Sequence, residues 1–249
     1  MEISNEEKLE AAQEFLENDE YEKVLTLCTQ VIKEEPANAE AYYLRGEAYY
    51  HLENYKKAVS DYNKVLRLDA ANYEIVYIYR GDAYFYSGNF KQALADYTKA
   101  IRLGFQAEVI YKNRGVIYGK YFQEYEKAVA DFNRAIKINP EKAEYYNNRA
   151  LAYSFLGQND KSISDLTTAI KLDKNFEQAY ANRGNVYAFL QNYKKAILDF
   201  SKAIKLKPNY APLYVWRGNC YKELGDTEKA RADFDKAKEL GYEGKEDLN

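Results

Sequence analysis

The side chains best suited to chemistry are few and scattered in this chain of 249 residues. His51 is the sole histidine. With no second histidine or cysteine near it, it can seed neither a zinc site nor a Ser-His-Asp relay. No glycine-rich phosphate loop of the GxxxxGK[ST] or GxGxxG type occurs. Carboxylates are plentiful, but each falls in the polar stripe of a helical pattern, the usual setting of a solvated surface. Two other patterns recur. Arginine stands at Arg45, Arg80, Arg114, Arg149, Arg183 and Arg217, and aspartate at Asp61, Asp96, Asp131, Asp165, Asp199 and Asp233. Asparagine recurs at Asn113, Asn148 and Asn182, joined by Asn147, Asn185 and Asn219. The planar arginine fork can meet a carboxylate through two bonds. An asparagine amide carries a donor and an acceptor, so it can pair with the backbone of an extended peptide. The chemistry on offer is recognition, with no catalytic, metal or cofactor constellation.

Residues spaced so evenly need elements that repeat. The unit is clearest at 177–210, EQAYANRGNVYAFLQNYKKAILDFSKAIKLKPNY. Tyr180, Gly184, Val186 and Tyr187 share one face of a first helix, and Ala196, Ile197, Phe200, Ala203 and Ile204 one face of a second. Leu190-Gln191-Asn192 turns the chain between them, and Pro208 stops the second helix. Aligned on the small residue of the first helix, the chain shows Ala12, Gly46, Gly81, Gly115, Ala150, Gly184 and Gly218, spaced by 34, 35, 34, 35, 34 and 34 residues. An aromatic stands three places after each of them, from Phe15 to Tyr221. This pattern resembles the tetratricopeptide repeat, a helix–turn–helix of 34 residues. The resemblance runs from Asn5 to Tyr242 in segments 5–38, 39–72, 74–107, 108–142, 143–176, 177–210 and 211–242, followed by a polar tail, 243–249. It implies an all-α, right-handed superhelical solenoid of antiparallel helix pairs, one array over 5–242. Tyr73 is an extra residue between two segments. The extra residue of 108–142 is expected in the turn around Tyr121-Phe122-Gln123-Glu124, as a bulge exposing two aromatics. Lys8 stands where later segments place their first aromatic, which leaves packing there to Leu9 and Phe15.

The first segment has Ala11 and Leu27 where the other six have arginine and aspartate. Residues that are present or absent together point to six structural Arg-Asp pairs linking helices; the competing reading is a row of ligand-binding arginines. In the family the first helices line a concave face that holds peptide segments. The resemblance places the second, fifth, sixth, ninth, twelfth and thirteenth residues of each repeat on that face. One half is then aromatic and acidic: Tyr43, Glu47, Tyr50, Tyr79, Asp82, Phe85 and Tyr86, with Glu47 and Asp82 favouring a basic residue in the ligand. The other half is amide-rich: Lys112, Asn113, Asn147, Asn148, Asn182, Asn185 and Asn219. It is similar to the asparagine ladder in the repeat domain of O-linked N-acetylglucosamine transferases. The alternative is that these amides solvate the groove or pair between repeats. A carboxylate clamp for a chaperone C-terminus fits poorly. Its nearest frame, starting at Lys112 and Asn148, fails at Val116, Gln178 and Asn182.

Charge is nearly balanced, with 36 basic and 39 acidic residues and a net of −3. That lacks the basic excess of a nucleic-acid binder. No run approaches the roughly 18 apolar residues of a membrane helix. Cys28 and Cys220 sit at core-type positions far apart in the array, as buried hydrophobes in a reducing compartment. The expectation is therefore a cytoplasmic, non-catalytic scaffold with a protein or peptide partner, and no nucleic acid, membrane or cofactor. Two rivals are self-assembly through the uncapped C-terminal repeat, and service as a regulatory or targeting module of a larger complex.

Overall fold

The computed structural model describes residues 3–243. Fourteen α-helices fill them, and the chain divides into two compact units, one ending at Ile117 and the other starting at Tyr118. The first unit holds α1 (Asn5–Glu17), α2 (Tyr21–Glu34), α3 (Ala39–His51), α4 (Tyr55–Asp69), α5 (Val76–Tyr86), α6 (Phe90–Arg102) and α7 (Glu108–Val116). The second holds α8 (Tyr125–Ile138), α9 (Ala143–Phe155), α10 (Asn159–Leu172), α11 (Glu177–Phe189), α12 (Tyr193–Leu206), α13 (Ala211–Glu223) and α14 (Thr227–Glu239). In each unit every helix packs on the next. Between neighbouring pairs a second helix packs on the next first helix, and first helices also approach one another, as in α1 on α3, α3 on α5, and α9 on α11, with no comparable approach between second helices. The first helices therefore line the inner face of each unit.

One turn geometry serves every helix pair. Asp19, Glu53, Gly88, Gln123, Gly157, Gln191 and Gly225 all hold positive φ, between 57° and 79°. That left-handed step lets the next amide reach back five residues or more, as in Asn54 to Tyr49 O and Asn192 to Tyr187 O, each 2.8 Å, which satisfies carbonyls at the helix end. Asn54, Asn192 and Asp226 then cap the following helix through their side chains. The extra residue of 108–142 is not in this turn. It is absorbed upstream as a π-helical segment, Ile117–Tyr121, so that Gln123 keeps the usual left-handed place. One aromatic is exposed rather than two: Tyr121 is open while Phe122 is half-buried.

In four of the pairs a glycine sets how closely the helices approach. A Cβ built on Gly46 would lie 2.8 Å from the Tyr62 ring, on Gly81 2.9 Å from Tyr97, on Gly184 2.8 Å from Phe200, and on Gly218 2.8 Å from Phe234. Where alanine replaces this glycine the facing residue is not aromatic: Ala12 shares its core with Cys28, and Ala150 with Leu166. At the first aromatic position of 5–38, Lys8 is itself buried, its ammonium 3.1 Å from Glu34. Packing there is thus shared with an ion pair.

The arginines beside these glycines are pairing residues. Arg45 Nε and Nη2 donate to Asp61 at 2.8 and 2.9 Å. Arg80 with Asp96, Arg149 with Asp165, Arg183 with Asp199, and Arg217 with Asp233 repeat the two-bond geometry at 2.6–2.8 Å. Their side chains are 17–19 % exposed for arginine and 7–9 % for aspartate. The remaining Nη1 reaches the preceding repeat: Thr29 from Arg45, Asn63 from Arg80, Thr98 from Arg114, Asn133 from Arg149, Thr167 from Arg183 and Ser201 from Arg217, at 2.6–3.2 Å. Each of these arginines thus ties its own first helix to a second helix one pair earlier.

Two outcomes are expected in urea unfolding. Arg183→Ala and Asp199→Ala should show a coupling of about 1–3 kcal/mol in a double-mutant cycle, whereas additive losses would mean the pair holds nothing together. Gly184→Ala should cost about 1–3 kcal/mol by overpacking. Adding Phe200→Leu, the arrangement seen at Ala150 and Leu166, should bring the double variant well above the sum of the two losses.

Candidate functional site

The inner faces of the two units carry different chemistry. In the first unit Glu47 on α3 and Asp82 on α5 occupy the same repeat position, one repeat apart. Asp82 Oδ1 accepts from the Tyr97 hydroxyl at 2.6 Å and from Asn113 Nδ2 at 2.9 Å. Asn113 also donates to the Tyr97 oxygen at 3.1 Å. These three residues form a closed triangle that consumes both N–H bonds of Asn113, which is only 1 % exposed. The expected inward-facing amide of Asn113 is therefore spent inside the fold, and its Oδ1 is buried with no partner. Glu47 follows Tyr43 by one helical turn, and the Tyr43 ring lies 6.1 Å from that of Tyr79. Tyr50 and Tyr86 meet edge to face at 6.2 Å, and Phe85 and Tyr86 at 5.3 Å. His51 stacks on Tyr21 at 5.0 Å. The predicted aromatic residues thus come together in two groups, Tyr43 with Tyr79 and Tyr50 with Phe85 and Tyr86. Lys112, half-buried, is near enough for its charge to favour the ionised form of Asp82.

In the second unit Asn182 Nδ2 donates to Asn147 Oδ1 at 2.9 Å, and Asn147 is buried. Asn148 is half-buried, and Asn185 and Asn219 are exposed. A cleft of ≈ 180 Å³ lies among α9, α10 and α11, lined in part by Leu151, Ser162, Asn182, Asn185 and Phe189. The Ser162 hydroxyl is fully buried there with no partner. Phe155 and Phe189 are 69 % and 76 % exposed, and Phe155 stacks on Tyr125 at 4.7 Å. The two phenylalanines occupy the thirteenth, inward-facing position of their repeats. That register was the signal for them, overshadowed by the asparagines in the same helices. Among the described residues no group of three or more His, Cys, Asp and Glu could hold a metal ion, and no helix is long and apolar enough to cross a membrane.

Burial raises the carboxyl pKa of both Glu47 and Asp82 above the ordinary range, against the opposing effect of their hydrogen bonds. A raised value means the folded state holds more protons than the unfolded one between the two pKa values, so acidification through that window stabilises the fold. Above it the cost of the buried charge is paid in full. Glu47→Gln should therefore raise the unfolding midpoint at pH 7, with the advantage shrinking as pH falls toward the ordinary carboxyl value of 4.5. A variant no more stable than wild type at pH 7 would show that burial costs this carboxylate nothing.

Comparison with known proteins accords with the repeated geometry. Residues 39–72 and 177–210 match a family model described as tetratricopeptide repeat, as do 75–104, 143–176 and 200–232. Residues 123–154 match one described as TPR repeat. No curated protein matches the sequence. Among solved structures, YrrB, described as a TPR protein with an unusual peptide-binding site, is 23 % identical; the match covers 75 % of this chain and 95 % of that one, with a TM-score of 0.66. A tetratricopeptide repeat protein from Parabacteroides merdae is 23 % identical over 96 % of this chain and 94 % of its own, with a TM-score of 0.68. The C-terminal part of a TPR repeat-containing protein from Cytophaga hutchinsonii is 18 % identical over 95 % and 96 %, with a TM-score of 0.76. Identities this low speak to the fold alone, which is an all-α solenoid of helix pairs. With the family models matching along most of its length, the chain belongs to the tetratricopeptide repeat family.

Proposed function

We propose that this protein is a non-catalytic interaction scaffold whose inner helix faces hold an extended segment of a partner protein. The observation that carries this reading is the second unit's inner face. There an apolar cleft lies beside Asn182 and Asn185, with Phe189 exposed at its lip. Exposed aromatic rings next to unengaged amides are costly for stability alone and suit a peptide well. The rings bury apolar side chains, and the amides pair with backbone N–H and C=O groups whatever the sequence. Asn148 is half-buried and Asn185 and Asn219 are exposed, with Asn182 partly held by Asn147. The match to a fold neighbour described as having a peptide-binding site lends support. Self-assembly through the last repeat has less in its favour: Arg231, Asp235, Lys238 and Glu239 are all exposed on α14, a solvated outer surface.

Affinity capture from source lysate tests the proposal. Wild type should retain a protein that the Asn148→Ala, Asn182→Ala variant loses, while the variant, about 1–3 kcal/mol less stable because the buried Asn147 loses its donor, still shows the full helical circular dichroism signal. Equal retention by both would overturn the role of these amides.

A further inference from the structure

Glu47 and Asp82 differ from the other acids on the inner face of the first unit. Surface carboxylates of a helical array are normally well solvated or ion-paired, whereas these two are only partly exposed and have no cation partner among the described residues. Both are half-buried. Among the described residues neither forms an ion pair within 4.0 Å, while the arginines of α3 and α5 are committed to Asp61 and Asp96. Lys112 acts on Asp82 only through space. Two further atoms stand unsatisfied beside them. Asn113 Oδ1 belongs to the amide that is itself hydrogen-bonded to Asp82. The Tyr62 hydroxyl is fully buried, and its ring lies 6.3 Å from that of Tyr79. The charge felt most strongly by that hydroxyl is Glu47. Buried polar atoms are almost always partnered, so each exception calls for an explanation. The surplus is mostly of acceptors, two of them carboxylates, walled by tyrosine rings, with the Tyr62 hydroxyl able to donate as well.

The complement of such a surface is a planar cation with several donors. A guanidinium stacks on tyrosine faces and sheds water more readily than an ammonium, and its fork can serve a carboxylate and a neighbouring amide oxygen together. We propose that this tyrosine-walled face of the first unit seats an arginine side chain of the partner, against Glu47 and Asp82 with Asn113 Oδ1 as an additional acceptor. The proposal rests on the reading that the partner lies along the inner helix faces. It adds a residue that the partner must carry.

The test uses the full chain and three acetylated, amidated pentapeptides, Gly-Ala-X-Ala-Gly, with X arginine, lysine or citrulline. Binding is followed by the NMR shifts of the Asn113 side-chain amide. The arginine peptide should move that resonance saturably and bind roughly tenfold or more tightly than the citrulline peptide, which has the same shape without the charge. Lysine should fall between them. Glu47→Gln with Asp82→Asn, a shape-preserving pair, should bring arginine down to the citrulline level. Equal binding of arginine and citrulline by wild type, lysine as tight as arginine, or undiminished arginine binding by the variant would each overturn the assignment. The wild-type comparison needs no variant to fold. Capture through Asn148 and Asn182 reads a different unit, so either result can fail while the other stands.

Discussion

An aromatic ring lying on the bare backbone of a glycine sets the spacing on which the rest of the molecule depends. Gly46, Gly81, Gly184 and Gly218 leave no room for even one added carbon beneath Tyr62, Tyr97, Phe200 and Phe234. Glycine is a poor helix former, so its place in the middle of these helices is offset by the ring it admits. The same close approach brings the polar clip into range. Arginine immediately precedes the glycine on one helix, and aspartate immediately precedes the ring on the other. Packing and hydrogen bonding therefore share one register, and a slip in either would disturb both. The residue after the ring, such as Asn63, Asn133 or Ser201, receives the third arginine bond from the next pair. Three consecutive residues on the second helix thus fasten one pair internally and to its successor.

On this uniform frame the inner faces are free to differ. The frame is built from small residues, rings and clips that point between helices, so the ninth, twelfth and thirteenth positions answer to no packing rule. The first unit uses them for acids and tyrosines, the second for amides and phenylalanines. Buried oxygens without a partner occur at other positions, on Tyr62 of α4, Asn113 of α7 and Ser162 of α10.

The period, the helix pairs and the Arg-Asp pairing were legible because each rests on identities repeated at fixed spacing. The absence of both partners from the first segment acted as an internal control. The third arginine bond was not legible in the same way. Its acceptor changes among threonine, asparagine and serine, and the contact joins neighbouring repeats. Asn113 was misleading for a related reason. It shares the sixth position with Asn148 and Asn182, yet Asp82 and Tyr97 draw it inward, and no neighbouring repeat of the first unit duplicates that combination. The extra residue near Tyr121 could be counted but not placed, because a widened helical turn and a longer loop use the same number of residues.

The two thiols carry a consequence of their own. Cys28 lies in the core of the first unit and Cys220 in that of the second, both buried. Burial pushes Cys28 up to about 12 and Cys220 up to about 11, so neither ionises appreciably near neutrality. A thiol-directed reagent in native buffer can then react only when the surrounding helices part, and its rate reports how often they do. Since each unit holds one such residue, the protein contains an independent clock for the opening of each half.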